Sequence, residues 1–366
     1  AYTIGVQAYI YGYPTMDLYR TFYENTLDPN RGHDLTLGEF IHSRKLVTPE
    51  DKWVVTPNND TLYCRAFLDL TAEPIILQIP ATGDRPYWFP IGDIYHNLNT
   101  SLSWDTIGGN GGALALCPPG FEGLMPKGVE RVDVRTPYIW MIGRYYVSSV
   151  ADVPTVNLLQ DKSRFIPLSQ WGLADVPRPQ VDPANYPRFT QADLQDAAKF
   201  YTVFNELLRR NPPVARDEAN LNWFKEINLH PRQRFDWDSL DIDVRAGLTR
   251  AVAAGHEIIS ARTKSFARIV NGWVEVIVDA DMGDQPVNHA GLCMMGLLYS
   301  QKEASTYHVA YVDGEMQSLD GKNQYELHFD PAPPVEAFWS VTIYSAATRL
   351  YVANAIDRYA IGDRTP

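Results

Sequence analysis

Hydrophobic and polar positions change their spacing along the chain, and the changes divide it. From Ala1 to Asn25, Ile4, Ala8 and Tyr11, with Val6, Tyr9, Ile10 and Tyr13, recur at helical spacing, which predicts a mostly tyrosine-faced helix interrupted near Pro14. Short β-branched and aromatic runs follow: Trp53 to Val55, Leu62 to Leu68, Ile75 to Ile79, Tyr87 to Ile91, Ala113 to Cys117 and Ile139 to Val147. Gly, Pro and Asn clusters separate them, as expected of an antiparallel β domain. Four prolines between Asp175 and Pro187 predict an extended connector. Helical spacing returns from Gln191 to Arg210 behind Thr190 as N-cap, then over Asp217 to Asn228 and Asp243 to Val270, the last with Phe266 among its apolar positions. Tyr307 to Val312, Gln324 to Phe329 and Ala337 to Tyr344 read as strands, with Asp313-Gly314 and Asp320-Gly321 as turns. The predicted organisation is an N-terminal helix (1–30), a β-rich domain (31–174), a Pro-rich linker (175–187), a helical segment (188–272) and a closing β portion (273–366).

Composition narrows the function classes. Of 366 residues, 45% are hydrophobic and 21% charged, which supports a packed core and excludes a disordered chain. A formal charge of −12 repels a phosphate backbone, so nucleic acid is not an expected partner. The longest apolar stretches, Glu73 to Pro80 and Trp273 to Val278, are far shorter than the ~20 residues of a bilayer-spanning helix, so no membrane span is expected. Cys64, Cys117 and Cys293 are too few for a disulfide framework and lack zinc-knuckle spacing. The chain starts at Ala1, so a removed leader would be invisible, and secreted, periplasmic and cytoplasmic addresses all stay open.

Two constellations carry candidate chemistry. Thr56-Pro57-Asn58-Asn59-Asp60-Thr61-Leu62-Tyr63 runs into a strand; it reads either as a turn or as a set of amides and a carboxylate orienting a polar ligand, with Asp60 as acid or base. In Pro86 to Asp105, read as one strand, alternation puts Asp93, Tyr95, Asn97 and Asn99 on one face, either water-facing or lining a cleft. Trp88 and Trp339 would wall the pocket. The eight histidines show no H-E-x-x-H arrangement; His308, His328 and Glu326 on neighbouring strands are a geometric option, yet the expectation is no metal and no cofactor. Gly108 to Gly112 lacks a following Lys-Ser or Lys-Thr and is expected to be a hairpin turn.

The chain resembles a pair of families, DUF1254 followed by DUF1214. The first is carried by Ala8 to Pro14, Thr56 to Tyr63, Thr82-Gly83-Asp84-Arg85 leading into Trp88 to Asn97, and Ile142-Gly143-Arg144. The second is carried by Leu319-Asp320-Gly321, Tyr325 to Phe329, Pro333 to Ser340, Asn354 and Arg358-Tyr359. Cys64 stands where the first motif usually has Ser, and Asn288 to Leu298 lacks the Asp-Tyr and Arg pattern expected before the second domain. The resemblance implies an α+β fold: a β-rich first domain entwined with a jelly-roll-like β-sandwich similar to those of glycan-processing amidases, with hydrolase and lyase chemistry both open. It also implies further strands beyond Arg358-Tyr359, so a homo-oligomer or a retained C-terminal fragment is expected to complete the sandwich.

The functional expectation is therefore a hydrolase or lyase that cleaves or eliminates a C–O bond in a polyhydroxylated or polyketide-like substrate. Asp60 and Asp93 would share the acid and base roles, and Asn58, Asn59, Tyr63, Trp88, Tyr95, Asn97 and Trp339 would hold the substrate. The alternative is a noncatalytic carbohydrate-binding or surface protein, with a small molecule or glycan as ligand in either case.

Overall fold

The computed structural model describes all residues except 32–35, 53–54, 266–267, 277, 298–299 and 366, so Phe266 and most of the predicted Trp53 to Val55 strand lie outside the described residues. The chain opens with helix α1 (Tyr2–Thr26), then strands β1 (Ile41–His42), β2 (Thr61–Asp69), β3 (Ile75–Ile79), β4 (Tyr87–Asp93) and β5 (Leu98–Ser103). A short α2 (Trp104–Ile107) leads to β6 (Gly112–Cys117), β7 (Glu130–Asp133), β8 (Tyr138–Tyr146), α3 (Val153–Lys162) and β9 (Arg164–Pro167). Helices α4 (Ala197–Arg210), α5 (Glu218–Phe224) and α6 (Ile242–Arg262) follow. The end of the chain holds β10 (Arg268–Val270), β11 (Trp273–Val276), α7 (Pro286–Met295), β12 (Tyr307–Ala310), β13 (Ser340–Thr342) and β14 (Ala360–Gly362).

The architecture is α+β in three layers. A five-stranded sheet, β1-β2-β8-β4-β5, is flanked on one face by a four-stranded sheet, β7-β6-β3-β9, and on the other by helices. Leu62, Cys64, Leu68, Phe89, Ile91, Met141 and Tyr145 meet Leu77, Ile79, Leu114 and Leu116 between the sheets. The intervening residues Tyr63, Phe67, Trp140 and Ile142 pack instead with α1 and α4 through Tyr19, Phe22, Phe200 and Phe204. Burial on both faces explains why β2 and β8 read as nearly continuous apolar runs. Close approach sets two positions in this core. A Cβ on Gly92 would fall 2.1 Å from the Trp140 ring, so Gly92→Ala is expected to destabilise the protein by about 1–3 kcal/mol in thermal denaturation. A Cβ on Gly12 would lie 2.8 Å from the Phe204 ring where α1 crosses α4.

Several sequence expectations change in three dimensions. Helix α1 runs through Pro14 without interruption; 16 of its 25 residues are buried, and that packing outweighs the roughly 3 kcal/mol a helix-interior proline costs. Pro86 to Asp105 is not one strand but the β4–β5 hairpin, reversed at His96 in the left-handed region (φ 64°) with the Asp93 N–H donating to the Asn97 carbonyl at 2.9 Å. Gly108 to Gly112 is not a hairpin, because it carries the chain from the first sheet to the second. The β domain is antiparallel apart from the parallel β6–β7 pair. Gln191 to Gln195 is a 3-10 turn, and Asp196 caps α4 by accepting from the Lys199 N–H at 3.1 Å. Helix α6 stops at Arg262, and β10 and β11 form a hairpin about Asn271-Gly272, both at positive φ. Gln324 to Phe329 is not a strand.

In place of a closed jelly roll, residues after Phe266 build a three-stranded sheet, β10-β11-β12, and the two-stranded pair β13-β14. Ile343, Ile356, Val335 and Tyr325 stay exposed there, so no second layer of apolar side chains closes a sandwich over the described residues. The Ala337 to Tyr344 edge nevertheless gains a partner from within the chain, with Val341 opposite Ile361. Among the described residues no helix is long and apolar enough to cross a membrane.

Candidate functional site

At one end of the central sheet, Ser300, Tyr344, Tyr351 and Arg364 from the C-terminal part of the chain meet Arg144, Pro57 and Asp60. Register aligns Tyr63 with Arg144 and Arg144 with Trp88, so three neighbouring strands present these side chains in one row. The turn before β2 is built by Asn58, whose Oδ1 accepts from the Asp60 N–H at 2.9 Å and from the Thr61 N–H and hydroxyl at 3.0 Å. Its Nδ2 donates to the Tyr63 hydroxyl at 2.9 Å. Asn58 thus positions the strand entry. Asn59 Oδ1 beside it is buried and has no hydrogen-bond partner among the described residues.

Asp60 is only 2% exposed. One carboxylate oxygen accepts from the Ser340 hydroxyl at 2.7 Å, and the other is held by the Arg364 guanidinium. Arg364 also donates to the Val147 carbonyl at 2.9 Å and lies over the Tyr146 and Phe338 rings. Tyr344 and Tyr351 both donate to the Pro57 carbonyl, at 2.6 and 2.8 Å. Asp60 is therefore the anchor by which the C-terminal segment is fastened to the β domain, with its charge already neutralised. Phe338, not Trp339, packs against Trp88, their centroids 6.1 Å apart; the Trp339 ring lies against Phe329 instead.

Arg144 occupies the middle of the row and meets no carboxylate among the described residues. It donates to the Ser300 hydroxyl at 3.3 Å, its guanidinium lies 5.7 Å from the Tyr63 centroid, and its buried Nε has no hydrogen-bond partner among the described residues. The phenol of Tyr307 on β12 also acts on it electrostatically. Burial pushes the Tyr307 phenol up, but Arg144, with hydrogen bonds from Ser305 and Arg144, more than offsets this and holds it below the ordinary phenol value. The residue as a whole is 44% exposed. Tyr307 also lines a cavity of about 250 Å³ together with Glu275, Val276, Lys302, Thr306 and His308.

Asp93 belongs to the opposite end of the sheet. Asp60 is level with Val147, whose N–H donates to the Asp60 carbonyl, whereas Asp93 pairs with Ile139. The eight-residue climb from Ile139 to Val147 separates the two carboxylates by roughly 25 Å. They cannot share one substrate. Asp93 is 2% exposed and accepts from the Asn97 N–H at 2.9 Å; burial pushes its carboxyl up to about 7 against the pull of that N–H and of Arg135. Tyr95 and Asn97 line a second, smaller cavity of about 20 Å³ with Tyr11, Arg216, Asp217 and His289. The predicted residues thus divide into Asn58, Asn59, Asp60, Tyr63 and Trp88 at one end and Asp93, Tyr95 and Asn97 at the other, with Trp339 at neither. His308 sits 3.9 Å from Glu275, while the exposed His328 faces Glu326 at 3.2 Å, so the option of a shared ligand group does not assemble.

Sequence reasoning passed over Arg144 and Tyr307 as site residues. The signal for Arg144 was its place in Ile142-Gly143-Arg144, a segment already carrying the family resemblance; Tyr307 offered no local signal beyond its strand.

Comparison with known proteins agrees with this architecture. A family model described as a protein of unknown function, DUF1254, matches residues 37–167, and another described likewise, DUF1214, matches residues 304–366. The crystal structure of the VPA0106 protein from Vibrio parahaemolyticus is similar over 99% of this chain and 84% of that one, with a TM-score of 0.73 and 23% identity, a likeness that shows the fold alone. No curated protein matches the chain. The chain thus carries a DUF1254 region, which includes the Asn-Asn-Asp turn, followed by a DUF1214 region.

Proposed function

We propose that this protein is a lyase that eliminates a C–O bond from a polyhydroxylated or polyketide-like small molecule, with Tyr307 as the acid–base group and Arg144 as its electrostatic support. The observation that carries the reading is that Tyr307 lines a cavity of about 250 Å³ while the Arg144 guanidinium, which meets no carboxylate among the described residues, draws its phenol below the ordinary value. A cation beside a phenol stabilises the phenolate and so brings a base within reach of neutral pH. In the proposed step the phenolate takes the proton next to a substrate carbonyl. The C–H electrons form the C=C bond, the C–O bond breaks, and the phenol returns its proton to the leaving oxygen. Arg144 faces the negative charge that develops on the carbonyl oxygen.

Elimination at one centre is favoured over hydrolysis by paired carboxylates for a geometric reason. Paired carboxylates in glycosidases stand about 5–9.5 Å apart, and Asp60 and Asp93 do not approach that range. The test is a panel of β-hydroxy and β-alkoxy carbonyl compounds and uronides, monitored for the ultraviolet absorbance of a conjugated alkene. New absorbance that vanishes in Tyr307→Phe supports the reading. Hydrolysis without unsaturation, or glycan binding without turnover, contradicts it, the latter favouring a noncatalytic carbohydrate-binding protein.

A further inference from the structure

Far from Arg144, against the β4–β5 turn, three side chains with metal-binding atoms come together from distant parts of the chain. His96 comes from that turn, and His289 and Cys293 come from α7. One atom from each lies within 4.8 Å of the others, and all three residues are buried. Ligands about 2.0–2.3 Å from a tetrahedral centre stand roughly 3.4–3.6 Å from one another, so the cluster reaches coordination geometry with small side-chain adjustments. His289 and Cys293, four residues apart, share one face of α7.

The surroundings resemble the supporting shell of a metal centre. His96 is held in the left-handed region at φ 64°, with its ring stacked on Trp140 at 5.4 Å and its N–H bonded to the Asp93 carbonyl at 3.0 Å. The His289 Nε2 lies 3.2 Å from the His96 carbonyl, which can only accept, so Nε2 carries the proton and Nδ1 the lone pair. A ligating histidine typically donates its other ring N–H to such a carbonyl. Cys293 Sγ is 3.0 Å from His96 Nδ1, within hydrogen-bond reach for the thiol. His289 also lines the cavity of about 20 Å³ beside Asn97, room for a single water.

The geometry points to a buried zinc site formed by His96, His289 and Cys293, with water as the fourth ligand. Binding replaces one proton: the thiol of Cys293 becomes a zinc-bound thiolate and its proton leaves to solvent. The ion would join α7 to the β4–β5 turn, at a site separate from the chemistry proposed at Tyr307. The absence of paired-ligand spacing in the sequence led to the opposite expectation, because spacing registers only ligands that are close along the chain.

The test uses the full-length chain, stripped of metal and then titrated with zinc or with cobalt(II) as a spectroscopic probe. One equivalent is expected to bind, with a thiolate-to-cobalt charge-transfer band and a melting temperature that rises on zinc addition. Cys293→Ala and His289→Gln are expected to weaken binding by more than about 100-fold, the upper end of what losing an outer-shell partner costs. The melting temperature of the metal-free variants and their circular dichroism establish that they fold. A wild-type protein that shows no charge-transfer band, or a band and zinc affinity unchanged in folded Cys293→Ala, would overturn the assignment.

Discussion

Tyr307→Phe is expected to lower turnover by roughly 10²- to 10⁴-fold, the usual worth of a positioned acid–base group, with the melting temperature little changed. The substitution removes one oxygen and keeps the ring on β12, so lost activity reports the hydroxyl itself. Arg144→Met gives the companion result. The guanidinium is the largest influence that holds the Tyr307 phenol below its ordinary value, and without it burial, opposed by Ser305, pushes the phenol up. The base is the phenolate, so the rate rises with pH through the phenol's pKa. The rising limb of the pH–rate profile should therefore sit below the ordinary phenol value in the wild type and move to higher pH in Arg144→Met. A limb that stays in place would separate Tyr307 from the rate-limiting proton transfer.

The second large effect is expected at Asp60, and on stability. Asp60→Ala leaves the Arg364 guanidinium facing the Tyr146 and Phe338 rings with its carboxylate gone and the Ser340 hydroxyl unpaired. Breaking one side of a buried ion pair costs about 3–5 kcal/mol, unless the segment carrying Arg364 swings out to water. Either way the C-terminal segment loosens. Limited proteolysis should cut after Ala337 much faster in Asp60→Ala, whereas Asp60→Asn, which keeps an acceptor for Ser340, should lie between. Exchanging both partners for apolar residues, Asp60→Leu with Arg364→Met, should recover part of the loss, since no unpaired charge is then left behind. If Asp60→Asn abolished turnover while proteolysis and melting stayed as in the wild type, Asp60 would be a catalytic group and not an anchor.

The elements legible in the sequence are those in which a single periodicity rules. Strands β2, β3, β6 and β8 are buried on both sides or in the sheet centre, so their apolar runs stand out; α4 has one buried and one solvated face. The misread elements had competing signals. The β4–β5 hairpin turns on His96 rather than on glycine, so nothing punctuated the alternation from Tyr87 onward. At the β10–β11 hairpin the apolar spacing of the preceding helix carried the helical reading through β10 to Val270, as far as the Asn271-Gly272 turn. The candidate site was legible only in part. The Asn58 to Tyr63 turn is local and could be read, while the pairing of Arg144 with Tyr307 joins strands 163 residues apart, and that of His96 with Cys293 spans 197. Asp60 and Asp93 were put together because acid–base cleavage calls for two carboxylates in different environments, a requirement that says nothing about which end of the sheet each occupies.

The central claim rests on the ionisation of one phenol, which can be measured without knowing the substrate. Tyrosine labelled with carbon-13 at the ring carbon bearing the hydroxyl, with Tyr307→Phe to assign the signal, gives the Tyr307 titration directly by nuclear magnetic resonance. A midpoint below the ordinary phenol value of about 10 that rises in Arg144→Met is the predicted result. A midpoint at or above that value, unmoved by Arg144→Met, would contradict the assignment of Tyr307 and Arg144 as the acid–base pair.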